Sequence, residues 1–121
     1  MPHLTLEYTA NLEAFDAAKA LTGLNQVMAD TGLFSEPDIK SRALRLDTFQ
    51  AGVLCEPRAF VHLRVGILSG RSPEELKQMT DALLVVLNAT VHNGFSGETQ
   101  ISVETIEIDR PSYAKAIVHG R

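Results

Sequence analysis

The sequence predicts an α/β fold layered as α+β, in which two βαβ units form one four-stranded sheet with two helices on one face. Three observations predict it. Periodicity signals run strand, helix, strand and then strand, helix, strand along the chain. The halves, about 1–57 and 58–121, echo each other in letters, His3-Leu4-Thr5-Leu6 against His62-Leu63-Arg64-Val65, as a duplicated module would. A length of 121 residues supports one core, so a single domain over 1–121 is expected.

The first strand is set by Leu4, Leu6 and Tyr8 alternating with His3, Thr5 and Glu7. Pro2 stands at its start, where a residue without an N–H is tolerated. Thr9-Ala10-Asn11 reads as a polar turn, and Asn11 or Asp16 can cap the helix that follows. Ala14, Ala17, Ala18, Leu21, Leu24 and Met28 recur at helical spacing, interrupted by Gly23. Gly32 suits a left-handed cap at the end. After the Ser35-Glu36-Pro37-Asp38 loop, Ile39 to Thr48 reads as a strand. It sets Arg42, Leu44 and Leu46 on one face against Ser41, Ala43 and Arg45 on the other. Phe49 to Arg58, with Gly52 and Pro57, reads as a hairpin or loop.

Ala59 to Leu68 is the strongest strand signal in the chain. Ser72-Pro73-Glu74-Glu75 is a capping box with proline at the first helical position. Leu76, Met79, Leu83, Leu87 and Val91 then form an apolar stripe that Val86 widens, and Asn93-Gly94 closes the helix. Ile101 to Ile108 is the last strand. Its apolar phase shifts between Val103 and Ile106, which suggests a bulge or a change of exposed face. Val61, Leu63, Val65 and Ile67 oppose Phe60 and Leu68, so the helix-free sheet face is expected to be apolar and the protein an oligomer.

Composition removes several function classes. A net charge of −4 argues against a non-specific nucleic-acid partner. No apolar run approaches the roughly 20 residues of a membrane span, so no membrane partner is expected. The amino terminus lacks a signal-peptide pattern, and the single Cys55 cannot form an internal disulfide. Both fit a cytoplasmic location. His3, His62, His92 and His119 show no metal-ligand spacing, so no metal site is expected. Cys55 has no paired base in sequence to make it a nucleophile.

The candidate chemistry lies at Met1-Pro2. A methionine before a small residue is commonly removed, and its removal leaves Pro2 with a free secondary amine pinned at the end of a strand. Desolvation or a nearby cation lowers such an amine toward the range useful for a base at neutral pH. If Met1 stays, the Pro2 nitrogen is an amide and has no basic lone pair. Several cations could hold an anionic substrate. Arg71 follows a strand and precedes a helix start, where positive charge binds an anion and depresses the amine together. Lys40, Arg42 and Arg45 give the second strand a basic load that is unusual in an acidic protein. Phe49 and Phe60 could line an apolar pocket that desolvates Pro2, or could serve the core.

Pro2-His3, Thr31-Gly32-Leu33-Phe34, Ile39-Lys40-Ser41-Arg42, Asp47-Thr48-Phe49-Gln50, Ala59-Phe60-Val61-His62-Leu63 and Gly70-Arg71-Ser72 keep a shared order across most of the chain. On these residues the sequence resembles the tautomerase superfamily and, within it, the 5-carboxymethyl-2-hydroxymuconate isomerases. The tail after Ile108 matches least. The resemblance implies a homotrimer with no cofactor and no metal, acting on a small anionic substrate. Pro2 would move a proton within an unsaturated 2-hydroxy or 2-oxo polycarboxylate, in a bacterial-style degradation of aromatic acids. Arg71 and Arg42 match positions where the family places arginine. Lys40 stands where another arginine is expected, and it lacks the planar fork that grips a carboxylate twice. A phenylpyruvate-type tautomerase, or a non-enzymatic trimeric binding protein on the same scaffold, are the alternatives.

Overall fold

The computed structural model describes residues 1–91 and 94–120. Six regular elements follow in order: β1 (His3–Thr9), α1 (Ala17–Asp30), β2 (Lys40–Leu46), β3 (Arg58–Leu68), α2 (Pro73–Val91) and β4 (Glu98–Ile108). Short 3-10 turns at Glu36–Asp38 and Arg110–Ser112 precede β2 and follow β4. The strand order is β2-β1-β3-β4. β1 and β2 run parallel, as do β3 and β4, while the central pair β1 and β3 is antiparallel. Each half is thus a βαβ unit, and the two meet along β1 and β3.

One core forms between the sheet and both helices. Leu4 and Leu6 of β1 and Ala59, Val61, Leu63, Val65 and Ile67 of β3 point into it at every second position. Ala20, Leu24 and Met28 of α1 and Met79, Leu83, Leu87 and Val91 of α2 close it from above. The α2 stripe and its capping box are as expected. Ser72 and Glu75 exchange hydrogen bonds, Ser72 N to Glu75 Oε1 at 3.0 Å and Glu75 N to Ser72 Oγ at 3.1 Å. The closing signal at Asn93 lies outside the described residues, as do His92 and Arg121. Gly94 has φ of +81°.

The first helix starts later than its apolar spacing suggests. Ala14 lies in the turn before it, and Asp16 is the cap, accepting from Lys19 N at 3.1 Å. Asn11, the other candidate cap, instead donates to Arg58 O at 2.8 Å and ties the end of β1 to the start of β3. Gly23 does not interrupt the helix. A Cβ there would stand 3.0 Å from Val86 Cγ1, so glycine lets the two helices approach. The buried stripe is Ala20, Leu24 and Met28, and Ala14 and Ala18, placed on it by their spacing, are exposed; one alanine among several adjacent ones gives little signal of which faces the core.

β4 carries no bulge. It pairs with β3 one residue to one from Arg58–Glu98 to Leu68–Ile108. The phase shift after Val103 is a change of face, since Ile106 and Ile108 belong to the side away from the helices. β2 ends at Leu46, shorter than the Ile39–Thr48 expectation.

The helix-free face departs most from expectation. The register lines up Lys40, His3, Gly66 and Ile106, then Arg42, Thr5, Arg64 and Glu104, then Leu44, Glu7, His62 and Ser102. Its centre is therefore polar and not apolar. Arg42 Nη2 donates to His3 Nδ1 at 2.9 Å. His62 bonds Ser102 Oγ at 2.7 Å through Nδ1 and the Glu104 carboxylate through Nε2, with Arg64 Nε at 3.7 Å from the same carboxylate. The His62 hydrogen bond holds the Glu104 carboxyl below its ordinary value, and Arg64 adds to it. The error came from reading Phe60 and Leu68 as a whole apolar face, when they mark its ends. Among the described residues, no helix is long and apolar enough to cross a membrane.

Candidate active site

The start of β1 holds the chain terminus in place. Lys40 N donates to Pro2 O at 3.1 Å, which extends the β1–β2 ladder back to Pro2. Pro2 is fully buried and Met1 is only 8% exposed. With Met1 attached, the amine belongs to Met1 and donates to Asp38 O at 3.0 Å. Burial first, and then the Lys40 ammonium, push this amine below its ordinary value. Asp38 acts against them and Lys115 reinforces them. An amine at this terminus is thus easier to deprotonate than one in water.

A cleft of about 270 Å³ opens beside it, lined by Met1, Leu33, Phe34, Ser35, Asp38, Leu68, Arg71 and Arg110. Arg71 reaches it from the turn between β3 and α2. Gly70 makes that turn with φ of +116°, a conformation that disfavours side chains. The Arg71 guanidinium donates to Leu33 O at 3.2 Å and lies over the Phe34 ring, 5.2 Å from its centroid. The loop after α1 therefore aims the cation. Gly32, with φ of +71°, ends α1 by donating to Ala29 O and turns the chain toward Leu33 and Phe34.

Three charged neighbours were missed in the sequence. Asp38 lines the cleft, and its carbonyl also accepts from Lys40 Nζ at 2.7 Å. Lys115 Nζ meets Asp38 Oδ1 at 2.5 Å. Arg110 donates from Nε to Ser69 O at 2.9 Å. Arg110 and Lys115 come from the tail after β4, which had no periodic signal. Only its hydrogen bonds bring it back over the terminus.

The proposed site residues do not all gather here. Arg71 lines the cleft, Pro2 is buried behind Met1, and Lys40 reaches the cleft wall only through Asp38 O. Arg42 lies on the helix-free sheet face, bound to His3, and is not part of the cleft wall. It is one reason, after burial, that His3 is held below its ordinary value. Phe49 and Phe60 pack edge to face with centroids 6.3 Å apart. Extending the β1–β3 register puts Phe60 beside Thr9, at the other end of β1 from Pro2. Seven strand residues separate the two ends, about 20 Å. These three residues do not line the cleft of their own chain.

Volume alone points elsewhere. A larger cleft of about 460 Å³ lies between the helices, lined by Val27, Asp30, Thr31, Leu33, Glu75, Gln78, Met79 and Ala82. Its Glu75 is engaged with Ser72, and it has no cation to hold an acid. Cys55 is exposed. Among the described residues, no three or more His, Cys, Asp or Glu side chains are grouped to hold a metal ion.

The family model described as 5-carboxymethyl-2-hydroxymuconate isomerase matches residues 2–121. The chain belongs to this family. It is an isomerase, and the reading as a non-enzymatic scaffold falls. It is 29% identical over 110 residues to the Escherichia coli 5-carboxymethyl-2-hydroxymuconate Delta-isomerase, covering 90% of this chain and 86% of that one. A crystal structure of a 5-carboxymethyl-2-hydroxymuconate isomerase from Deinococcus radiodurans R1 is 38% identical, with a TM-score of 0.88. That alignment covers 95% of this chain and 88% of the other. A fused 4-OT wild-type symmetric trimer shares the fold at 16% identity, with a TM-score of 0.72 over 94% and 91% of the two chains. The isomerase thus has the tautomerase fold that its sequence resembles.

Proposed function

We propose that this isomerase moves a proton within an unsaturated 2-hydroxy or 2-oxo polycarboxylate, 5-carboxymethyl-2-hydroxymuconate or a close relative. The base is the Pro2 amine freed by removal of Met1. The observation that carries this reading is the buried terminus, where burial and Lys40 depress the Met1 amine, one residue from the Pro2 nitrogen, beside a cleft that holds Arg71. The Pro2 nitrogen takes the proton of the 2-hydroxyl. The oxygen becomes a carbonyl as the double bond shifts, and the nitrogen returns its proton to the distal carbon, giving the unsaturated ketone. Arg71 holds a carboxylate of the substrate, and Lys40 keeps the amine neutral between turnovers. The names of the Escherichia coli and Deinococcus radiodurans isomerases support this substrate class.

The isomerase works as a homotrimer in this reading, as fused 4-OT trimers of the same fold suggest. Arg42, Phe49 and Phe60 serve the site only across a subunit boundary, since they lie away from the cleft of their own chain. The reaction is placed in the cytoplasm, in the breakdown of aromatic acids, and needs no cofactor. The two βαβ halves are read as copies of one module.

The test is turnover of a 2-hydroxymuconate-type dienol by the processed protein, followed by loss of the dienol absorbance, with light scattering on the same sample. Enzyme-dependent ketonisation by a particle of trimer mass is expected. A processed protein that leaves the spontaneous rate unchanged contradicts the reading, and so does an active, stable monomer.

A further inference from the structure

We propose that Arg110, carried by the tail after β4, is the second guanidinium of the anion cleft and makes the site prefer substrates with two carboxylates. This rests on the proposed function and adds to it a residue that confers specificity.

The tail holds Arg110 in place at several points. Ser112 Oγ donates to Asp109 Oδ2 at 2.8 Å, and Tyr113 N donates to Arg110 O at 3.2 Å, closing the 3-10 turn that carries it. Farther along, Lys115 anchors the tail to Asp38 on the cleft wall. The side chain is fixed through Arg110 Nε to Ser69 O, which leaves both terminal nitrogens for another acceptor. Gly70 lies beside it, with the Nε and Nη2 atoms of Arg110 4.0 Å from where a Cβ would stand. Arg71 likewise spends one nitrogen on Leu33 O and keeps others available.

Charge on the wall is unbalanced. Arg71 and Arg110 both line the cleft, and its one lining carboxylate, Asp38, is bonded to Lys115. Two like charges around so small a space repel each other in the free protein, and an anion between them relieves that repulsion. Guanidiniums on separate elements, one after β3 and one after β4, suit two carboxylates at the two ends of one molecule better than a single carboxylate.

The experiment measures binding and turnover on processed protein of the full chain, wild type, Arg110→Ala and Arg110→Lys. Adipate and hexanoate are unreactive probes of equal length with two carboxylates and one, read by calorimetry. Wild type should bind adipate more tightly than hexanoate. Arg110→Ala should reduce that ratio about tenfold, the low end for a charge-assisted hydrogen bond because Arg110 is exposed. Arg110→Lys should restore part of it. In turnover, the ratio of kcat/KM for dicarboxylate over monocarboxylate enol acids should fall in parallel, mainly through KM. An unchanged ratio in Arg110→Ala, an equal loss for both probes, or a wild type indifferent to the second carboxylate overturns the inference. An Arg110-dependent preference for adipate in a protein that ketonises no dienol leaves this inference standing and overturns the proposed function alone.

Discussion

Protein that keeps Met1 will turn over its enol substrate about 10²–10⁴-fold more slowly than protein from which Met1 has been cleaved, the usual loss when a general base is removed. Two features of the terminus produce the effect. A peptide bond to Met1 makes the Pro2 nitrogen an amide, whose lone pair is committed to resonance. Met1 also fills part of the site, since it is almost entirely buried and forms one wall of the cleft. The Met1 amine is no substitute base. It stands one residue farther along the chain, about 3.8 Å by the spacing of successive Cα atoms, and it is tied to Asp38 O. A displacement of that size is far larger than proton transfer tolerates. The check is intact mass and kcat on the same preparations, sorted by whether the first methionine is present. Full activity in a preparation that retains Met1 quantitatively would rule out the Pro2 amine as the base.

Arg71→Ala should weaken binding of anionic substrates by about 1.5–3 kcal/mol, roughly 10–150-fold, the range for a hydrogen bond between charged groups. The guanidinium is already oriented by Leu33 O and the Phe34 ring, so little entropy is lost when a carboxylate docks. Arg71→Lys should recover only part of the affinity, because an ammonium keeps the charge without the fork. The sequence suggested a second effect, that loss of Arg71 would raise the amine's pKa. For the Met1 amine, burial first and then Lys40 and Lys115 lower the pKa, and Arg71 is not among the causes. We expect the Pro2 amine, one residue away, to answer to the same cations. Arg71→Ala should therefore raise KM while the pH at which activity switches on stays in place. KM and kcat against pH for the two variants measure both effects. A shifted activity limb with unchanged affinity would mean that Arg71 acts on the base and not on the substrate.

Elements whose side chains repeat were legible from the sequence. Alternation along His3–Tyr8 and Ala59–Leu68, and the capping box at Ser72, located β1, β3 and the start of α2, because each pattern reflects one buried face or one cap. Pro2 and Arg71 stood out for similar reasons, one at a strand start and the other between a strand and a helix. Asp38, Arg110 and Lys115 did not. Their place in the site depends on a tail without periodicity that crosses back over the terminus, a contact separated by 77 residues between Lys115 and Asp38. Arg42 was misplaced for a simpler reason. It shares the helix-free face with Lys40 but stands two residues farther along β2, about 7 Å from the terminus end, where its guanidinium meets His3 instead of the cleft. The polar centre of the helix-free face was missed although His62, Arg64 and Gly66 alternate in phase between Phe60 and Leu68; only their partner Glu104 depends on the pairing of β3 and β4.

The most direct measurement is a titration of the Pro2 nitrogen itself, by NMR of processed protein labelled with ¹⁵N-proline, in wild type and Lys40→Ala. The account predicts that the nitrogen titrates below the ordinary range of a secondary amine, because the ammonium form is buried and faces a cation. Activity requires the neutral amine, so the rate should rise with pH through that same pKa. In Lys40→Ala a charge that opposes protonation is gone, so the pKa rises and both the titration and the activity limb move to higher pH. A Pro2 nitrogen that titrates at its ordinary value, or that titrates apart from the activity limb, would contradict the claim that this amine is the base.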